Sequence, residues 1–418
     1  MRVLFLFQTF SFERSTIYLD LIEEMRDRGH AVTVIAGTTD RELPDGLHKE
    51  DGVDVVYLKL ADQFGAGKIK KGLIQLYMAP LMIALIRKYL WKKKFDVIAY
   101  PTPPVTLAPV VKKCREHFNC ITYLMLKDIF PQNAVDIGLM SKDGLAYKYF
   151  KKLERVLYEN SKKIGCMSEG NIAYLKEHEP WIPDGVIEYF PNTVKVKEDR
   201  GDRGTVLLSP SGQNRSDVSD DQKETKGPSP CLPCLRFMFG GNMGKPQGIG
   251  FLLEGIKKAA DVPELKDICF DFIGDGTESR KIEEFIEKNG LKNLTYRRGV
   301  DRDTYEEILK GSDIGIISLS EEFTIPNYPS RILSYMQLAK PVLAITDRVT
   351  DMKDLILEKA SCGWWTPSGD AESFIETLKA ILNEKASLQQ KGLNGRKYLE
   401  ENFNVKLSAN ILEKSYWG

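Results

Sequence analysis

One arginine lies where a helix disfavours positive charge. The stretch from Tyr328 to Ala344 predicts a short loop, one helix and a buried strand, with Pro329 at the helix start and Ser330 as its cap. Arg331 then falls in the first helical turn, at the positive end of the macrodipole. A bound anion would explain this cation, because free N–H groups and a guanidinium together bind phosphate. A solvent-exposed arginine or an ordinary ion pair would explain it equally well.

A glycine-rich loop follows another predicted strand and offers the same chemistry. The segment Gly240–Gly248 contains Gly241, Asn242, Gly244 and Lys245. Glycines after a strand let backbone N–H groups approach an anion closely. The loop matches neither the dinucleotide-binding G-x-G-x-x-G pattern with its ribose acid nor a P-loop, in which Gly-Lys-Ser/Thr opens a helix. A nicotinamide enzyme and an NTPase are therefore disfavoured.

A second glycine pair, Gly274 and Gly276, also follows an apolar run. This pair predicts a tight turn first and a ligand loop second. Glycine-rich turns between strands and helices are common in α/β proteins, so neither loop identifies a ligand alone. What they indicate depends on the elements that bring them together.

The length and composition favour a globular protein of two domains. A chain of 418 residues is too long for one ordinary core, and its content of 42% hydrophobic and 28% charged residues is typical of globular proteins. The net charge of zero gives no global field that would favour nucleic acid as a partner. The first residues, Met1–Phe7, predict a β-strand rather than a signal peptide.

Seven scattered cysteines predict free thiols in a reducing cytosol. Cys231 and Cys234 have C-x-x-C spacing, but no second pair and no nearby histidine completes a zinc site. We therefore expect no metal there.

Strand and helix signals alternate through both halves of the chain. The first half, residues 1–193, has apolar runs at 3–8, 31–36, 54–58, 96–100, 121–126, 163–167 and 186–190. The second half, residues 235–403, has them at 236–240, 269–273, 294–297, 313–318 and 341–345. This alternation predicts two doubly wound parallel sheets with right-handed crossovers.

A polar stretch separates the two halves. Residues 194–234 predict a linker, and 201–230 within it are rich in Ser, Asp, Gly, Gln and Lys, as a disordered insertion would be. We expect the last helix, 404–418, to pack back on the first domain. The strand ends of both sheets should face one cleft, bordered by 8–14, 240–248, 274–277, 298–300 and 318–331, because ligands bind outside the carboxyl ends of such strands.

These segments carry a family resemblance that covers nearly the whole chain. The resemblance is to the family 4 glycosyltransferases of the GT-B fold, and it rests on Phe239-Gly-Gly-Asn242, Phe272-Ile-Gly-Asp-Gly276, Arg298-Gly-Val300 and Pro329–Ala344. Within that family the chain is similar to the bacterial capsule and lipopolysaccharide transferases of the N-acetylfucosaminyl type. The likeness to that branch rests on Phe7–Thr16, Lys127–Gln132, Met167–Asn171 and Pro329–Arg331.

The resemblance implies a retaining transfer from a UDP-sugar to a lipid-linked saccharide, with undecaprenyl diphosphate as the expected carrier. The donor would bind the second domain, its base near Arg298 and Val300, and its diphosphate near Gly240–Gly248 and the helix that starts at Pro329. Asn327 belongs to the same expected donor site. The family is generally metal-independent, so no cofactor is expected. Positive side chains and a helix dipole stabilise the leaving diphosphate instead.

The sequence departs from the family at two glutamates. When the sequence is aligned with the family pattern on Met336, the positions of the two glutamates hold Pro326 and Ser334. Glu321 and Glu322 lie upstream without the matching spacing, so either Glu322 or another group has to contact the sugar. Ser334 is kept as a donor-site candidate in place of the second glutamate.

Two family cations and one histidine are also replaced. The Arg and Lys that follow the first strand of the second domain correspond to Asn242 and Gln247, which leaves Lys245 and Arg331 for the diphosphate. Asp128 occupies the loop of the missing histidine and is a candidate contact to sugar or acceptor. It is equally a candidate helix cap. We interpret all four histidines as structural: His30, His48, His117 and His178.

A basic and apolar stretch, 68–94, suggests a membrane surface as a partner. Lys68–Lys71 and Arg87–Lys94 are rich in cations and flank the uncharged run Gly72–Ile86, which is shorter than the about 20 residues needed to cross a bilayer. Such a stretch suits an interfacial helix on anionic lipid. A buried helix with a solvated basic end is the alternative. We expect peripheral attachment to the inner face of the cytoplasmic membrane.

Two other functions stay open. A sugar-nucleotide 2-epimerase shares this two-domain shape, although it would need acids and histidines for proton abstraction, and the second domain has no histidine. A non-catalytic subunit that binds a nucleotide-sugar is the other alternative, because the family glutamates are missing.

Overall fold

The fold was examined in a computed structural model that describes residues 1–12, 17–60, 68–197 and 234–417. For 68–76 and 302–303 only the backbone is considered. The predicted insertion at 201–230, Cys231 and Arg14 lie outside the described residues. The chain divides into two compact units, the first made of Met1–Lys195, Thr324–Tyr328 and Asn402–Gly418, and the second of Val196–Phe323 and Pro329–Glu401.

The first unit contains an eight-stranded sheet. Its strands are β1 Arg2–Phe7, β2 Ala31–Thr38, β3 Leu47–Glu50, β4 Val53–Lys59, β5 Val97–Thr102, β6 Ile121–Leu126, β7 Lys163–Cys166 and β8 Ile187–Tyr189. They lie in the order β3-β4-β2-β1-β5-β6-β7-β8, and only the β3–β4 pair is antiparallel.

The second unit contains a six-stranded, fully parallel sheet. Its strands are β9 Leu235–Gly240, β10 Ile268–Ile273, β11 Leu294–Arg297, β12 Ile314–Ser318, β13 Val342–Thr346 and β14 Gly363–Pro367. Their order, β11-β10-β9-β12-β13-β14, reverses direction between β9 and β12. Such a reversal is the topological switch point at which doubly wound sheets bind ligands.

Helices connect the strands in both units. Their bounds are α1 Ile17–Asp27, α2 Lys68–Leu85, α3 Ala108–Phe118, α4 Gln132–Asp136, α5 Leu145–Glu159, α6 Glu169–His178, α7 Ile249–Ala260, α8 Ser279–Asn289, α9 Arg302–Lys310, α10 Arg331–Gln337, α11 Met352–Asp354, α12 Ala371–Asn383, α13 Leu388–Asn402 and α14 Val405–Trp417. A turn of π-helix, Ile86–Leu90, extends α2.

Each unit has a hydrophobic core of its own. The inner strands are continuous apolar runs because helices cover both faces of a parallel sheet. In the first unit, β1 contributes Val3, Phe5 and Phe7 to a core that α14 completes with Ala409 and Leu412. The packing of α14 on α1 includes ion pairs from Glu413 to Arg28 and His30.

The structure contains two strands that the sequence did not predict. The edge strand β3, with the sequence Leu-His-Lys-Glu, is at most half-buried and therefore lacks an apolar run. The strand β14 is also short and is bounded by Gly363 and Pro367. The predicted cap of α10 is wrong as well, because Ser330 has helical dihedral angles and makes no capping bond.

Candidate active site

The guanidinium of Arg331 lies beside the switch point of the second sheet. Arg331 is the first residue of α10, and its Cζ atom lies 4.6 Å from the ring centre of Phe239 in β9. Its Nη1 atom is buried and has no hydrogen-bond partner among the described residues. Burial lowers the pKa of Arg331 from its ordinary value. No carboxylate in the described ranges pairs with Arg331. Its positive charge therefore has no negatively charged partner among these residues.

One tyrosine holds α10 in this place. Tyr335 is fully buried, and its hydroxyl donates to the carbonyl oxygen of Ile316 at 3.0 Å. The carbonyl oxygen of Met238, 3.3 Å from the same hydroxyl, is a second possible acceptor. Its ring lies against Gly315 of β12, where an added Cβ would collide with it. Because Arg331 and Tyr335 are one helical turn apart, this anchor fixes the height of the guanidinium above the sheet.

The two glycine loops meet at the ends of β9 and β10. Gly241 has φ +106° and Gly274 has φ +146°, conformations that glycine adopts without strain. A side chain at Gly274 would collide with the carbonyl of Gly241, and the amide of Gly241 donates to Ile273 O at 2.8 Å. An added Cβ at Gly241 would lie 3.6 Å from Nη2 of Arg331. The structure therefore brings Gly241, Gly274 and Arg331 together.

The loop after Gly241 satisfies part of its own hydrogen bonding. The buried amide of Gly244 donates to the side chain of Gln247 at 3.1 Å, and the exposed Asn242 donates to the same oxygen at 3.3 Å. Ser318 fixes the loop to β12 through a 2.7 Å bond to Gln247 O. Lys245 is exposed in a turn of 3-10 helix within this loop.

Gly276 has a different role from the one predicted. Its amide donates to Oδ1 of Asp275 and to Oγ of Ser279, both at 2.8 Å, so it is already used within its loop. The pKa of Asp275 is lowered, first by the hydrogen bond from Ser279 and then by that from Gly276. The carboxylate of Asp275 disfavours a bound anion at this turn. Gly241 and Arg331 are therefore better candidates for the diphosphate site than Gly276.

Arg298 is engaged by a carboxylate in the second unit. Its guanidinium donates to both oxygens of Glu283, at 2.7 and 2.8 Å, and these bonds raise its pKa. Both side chains are about half exposed, so the pair stays open to exchange with a ligand. Arg298 is itself exposed and Val300 is half-buried.

The remaining predicted donor residues fall into two groups. Pro329 is half-buried and Ser334 is exposed one turn after Arg331, both in the second unit. Asn327 belongs instead to the segment Thr324–Tyr328, which packs within the first unit. There it is buried and donates to Ile325 O at 3.2 Å.

That segment is held by three side chains of the first unit. Asp136 accepts from the amide of Thr324 at 2.8 Å, Asn171 donates to Pro326 O at 2.7 Å, and Asn192 donates to Tyr328 O at 3.2 Å. These bonds could not be predicted from local sequence patterns, because each joins residues that are more than a hundred positions apart.

In the first unit, Asp128 follows β6 next to a lysine that the sequence did not single out. Burial raises the pKa of Asp128 to about 6 and lowers that of Lys127 to about 7. Lys127 Nζ lies 5.2 Å from the ring centre of Phe190. The interpretation of Asp128 as a helix cap is wrong, since α4 begins at Gln132 without a side-chain cap.

The other candidate acids and the histidines have local roles. Glu321 and Glu322 are exposed after β12, and Glu321 lies against the backbone of Gly369. His30 pairs with Glu413, and His117 and His178 stack on Trp91 and Tyr174. Within the described ranges there is no cluster of three metal-binding side chains.

Comparisons with known proteins show what the chain is similar to. Residues 235–384 match the family model described as Glycosyl transferases group 1. The chain is 23% identical over 394 residues to Probable glycosyltransferase WbjE of Pseudomonas aeruginosa, which covers 93% of this chain and 90% of that protein. It is 19% identical over 269 residues to Putative colanic acid biosynthesis glycosyl transferase WcaI of Escherichia coli (strain K12). This alignment covers 63% of this chain and 60% of that protein.

A solved structure extends the likeness to the whole fold. Anabaena Alr3699/HepE in complex with UDP superposes with a TM-score of 0.64 at 13% identity, covering 99% of each chain. The predicted fold of two Rossmann-like sheets, of GT-B type, is confirmed. The N-acetylfucosaminyl branch stays a prediction. Residues 235–384 are thus similar to the glycosyl transferases group 1 family, and the protein is a transferase enzyme.

Proposed function

We propose that the protein transfers a sugar from a UDP-sugar to a growing polysaccharide repeat. The observation that carries this is the guanidinium of Arg331, whose buried Nη1 atom has no hydrogen-bond partner among the described residues and whose Nη2 atom lies beside Gly241 at the switch point. A nucleoside diphosphate would supply the missing negative charge. UDP in the HepE complex and the colanic acid pathway in the name of WcaI support this donor and this product class.

The proposed reaction retains the anomeric configuration and uses no metal. The bond between the anomeric carbon and the diphosphate oxygen breaks, and the acceptor oxygen bonds to that carbon. The leaving diphosphate takes the acceptor proton. Arg331 stabilises the charge that develops on the diphosphate, with the N-terminal end of α10 and Lys245 assisting it. Asp128, with its raised pKa, is the proposed contact to sugar or acceptor.

The finer identity of the substrates follows the family resemblance. We expect an N-acetylated 6-deoxy amino sugar as donor and an undecaprenyl diphosphate-linked saccharide as acceptor, at the inner face of the cytoplasmic membrane. Incubation with a panel of UDP-sugars and such an acceptor tests this. Sugar interconversion without acceptor would indicate an epimerase instead, and binding without turnover would indicate a non-catalytic subunit.

The substitution Arg331→Met separates binding from folding. The affinity for UDP, measured by calorimetry, should fall about 10- to 100-fold, since one charged donor is lost. The transfer rate should fall about 100-fold or more. The free protein should unfold at the same or a higher urea concentration, because a buried charge without a partner is removed.

Arg280→Met is the matched control, because Arg280 is an exposed arginine of the same unit that pairs with Glu284. It should change neither UDP affinity nor transfer. Unchanged UDP affinity in Arg331→Met, or a large loss of stability, would make Arg331 a structural residue.

A further inference from the structure

The helix α2 has an apolar face that no described residue of its own unit covers. On one side Met78 and Met82 are buried in the first unit. On the opposite side Tyr77 is 63% exposed and Leu81 is 47% exposed, and the exposed Pro80 and Ala84 continue that face at helical spacing. A helix that is apolar all round is expected to be fully covered. Within the part of the chain that the structure describes, the exposed face of α2 therefore has no partner.

A second apolar stripe runs along α5. Leu145 is 85% exposed and Tyr149 is 44% exposed, and Leu153 follows at the same spacing of four residues. The exposed Lys148 and Lys152 lie on the same face, between these apolar positions. Leu145 and Tyr149 of this stripe stay exposed among the described residues of the first unit.

The two stripes meet in a groove, which we name the α2–α5 groove. It is lined by Pro80 and Ile83 of α2, Pro109 of α3, and Tyr149 and Leu153 of α5, and has a volume of about 200 Å³. Its remaining lining residues are Ala79 and Thr106. The side chains of Thr106 and Tyr149 carry the two hydroxyls of an otherwise apolar lining, which suits a hydrocarbon chain and not a sugar or a nucleotide.

Cations without carboxylate partners are found on the same helices. Among the described residues, no ion pair engages Arg87 or Lys88 after α2, Lys112 of α3, or Lys148 and Lys152 of α5. Neighbouring lysines do have partners: Lys93 pairs with Asp54 and Lys151 with Glu179, both at 2.6 Å. Residues 68–95 include no acid at all, while α5 contains Glu154, which is buried and pairs with Lys151, and ends at Glu159. The free positive charges complement lipid phosphates.

The arrangement suits attachment to a bilayer and not passage through it. Within the described ranges no helix is long and apolar enough to cross a membrane. Apolar side chains beside unpaired cations are typical of surfaces that insert shallowly into anionic lipid.

We propose that the α2–α5 groove binds one acyl chain of an anionic bilayer phospholipid, with the surrounding cations against the headgroup phosphates. This deepens the proposed function, on which it rests, by giving the residues that hold the enzyme at the membrane that carries its acceptor.

Liposome flotation of the full chain tests the proposal. The wild-type protein should float with vesicles of equal parts phosphatidylcholine and phosphatidylglycerol, and weakly with phosphatidylcholine alone. Leu81→Asp should lower the bound fraction about tenfold, through the loss of apolar insertion. Lys148→Ala should lower it about fivefold, and only on the anionic vesicles.

Leu393→Asp is the matched control, because Leu393 of α13 is 48% exposed and belongs to the second unit. It should float like the wild type. A tryptophan introduced as Tyr149→Trp should be quenched by phospholipids brominated in their acyl chains, whereas Leu393→Trp should not.

UDP affinity separates this proposal from the proposed function, since every variant here should bind UDP like the wild type. Equal flotation of Leu81→Asp and Leu393→Asp, or no extra quenching of Tyr149→Trp, would overturn the groove even if transfer is demonstrated. Loss of a dimer in Leu81→Asp, measured by analytical ultracentrifugation, would make the groove an interface between two copies and would also overturn it.

Discussion

At the scale of single residues, Arg331 shows what position in the sequence can and cannot reveal. A cation in the first turn of a helix was visible from the pattern alone. The guanidinium lies against Phe239, in a strand almost a hundred residues away, and its buried Nη1 has no hydrogen-bond partner among the described residues. This burial favours the proposed anion site over an ordinary surface arginine, and the local sequence pattern does not predict it.

The pair Lys127 and Asp128 belongs to the same scale and predicts a pH dependence. The pKa of Asp128 rises from 3.8 to about 6, so the unfolded chain releases this proton first and the free energy of unfolding falls between about pH 4 and pH 6. The pKa of Lys127 falls from 10.5 to about 7, so the free energy of unfolding rises again between about pH 7 and pH 10.

Asp128→Asn should remove the first of these changes. Relative to the wild type, its free energy of unfolding should increase by about 1–2 kcal/mol from pH 4 to pH 6, less than the full shift because Asp128 is only partly buried. Urea unfolding at a series of pH values measures this. Asp143→Asn, at an exposed acid of the same unit, should run parallel to the wild type. A parallel curve for Asp128→Asn as well would show that its carboxyl is not perturbed.

At the scale of elements, α10 depends on long-range packing. The helix is only seven residues long, so its stability comes from packing and not from its own hydrogen bonds. The ring of Tyr335 against Gly315 and its hydroxyl on the carbonyl of Ile316 provide that packing. The sequence pattern predicted the helix and both flanking strands, but a glycine inside a strand and a tyrosine in a helix do not reveal that they touch.

A double-mutant cycle measures this contact. Gly315→Ala should lower the free energy of unfolding by about 1–3 kcal/mol, because the added methyl group collides with Tyr335. With Tyr335→Leu present, the same change should cost at least about 1 kcal/mol less. Gly311→Ala is the control, since an added Cβ there meets neighbours at an ordinary 3.5 Å. Additive effects of the two substitutions would mean that the ring and the glycine are not coupled.

Local sequence does not reveal long-range contacts, and this also explains which strands could be predicted. The inner strands β1, β5, β9 and β12 are apolar on both faces, so their sequences stand out. The edge strand β3 alternates between exposed and half-buried residues and exists because β4 pairs with it. The placement of Asn327 in the first unit could not be predicted for the same reason. Its segment follows a strand of the second unit but is fixed by side chains of the first.

At the scale of the whole molecule, the first unit is not a continuous piece of chain. It takes Thr324–Tyr328 and Asn402–Gly418 from the C-terminal half. The helix α14 buries Ala409 and Leu412 in the first core, and Ser408 bonds Thr193 at 2.7 Å. The packing of that core therefore depends on residues at both ends of the sequence.

Removal of residues 404–418 should destabilise the first unit selectively. Amides of β1 and α1 should lose protection in hydrogen exchange because their core is opened, while those of β9 and β12 keep theirs. Removal of only 416–418 is the control, since Tyr416 and Trp417 are exposed. Equal loss of protection in both sheets, or none, would contradict the assignment of α14 to the first core.

The interleaving of the two units constrains how such a protein can diversify. A genetic exchange that replaces everything after the middle of the chain also replaces Thr324–Tyr328 and α14, and with them part of the first core. A new second unit is therefore inherited together with two pieces that must fit the old first one. Asp136, Asn171 and Asn192 meet the first piece, while Arg28 and His30 meet the second. A chimera that keeps these five residues matched to their partners should fold. In a chimera joined only at the middle of the chain, Thr324–Tyr328 and α14 would both meet a first unit that does not match them.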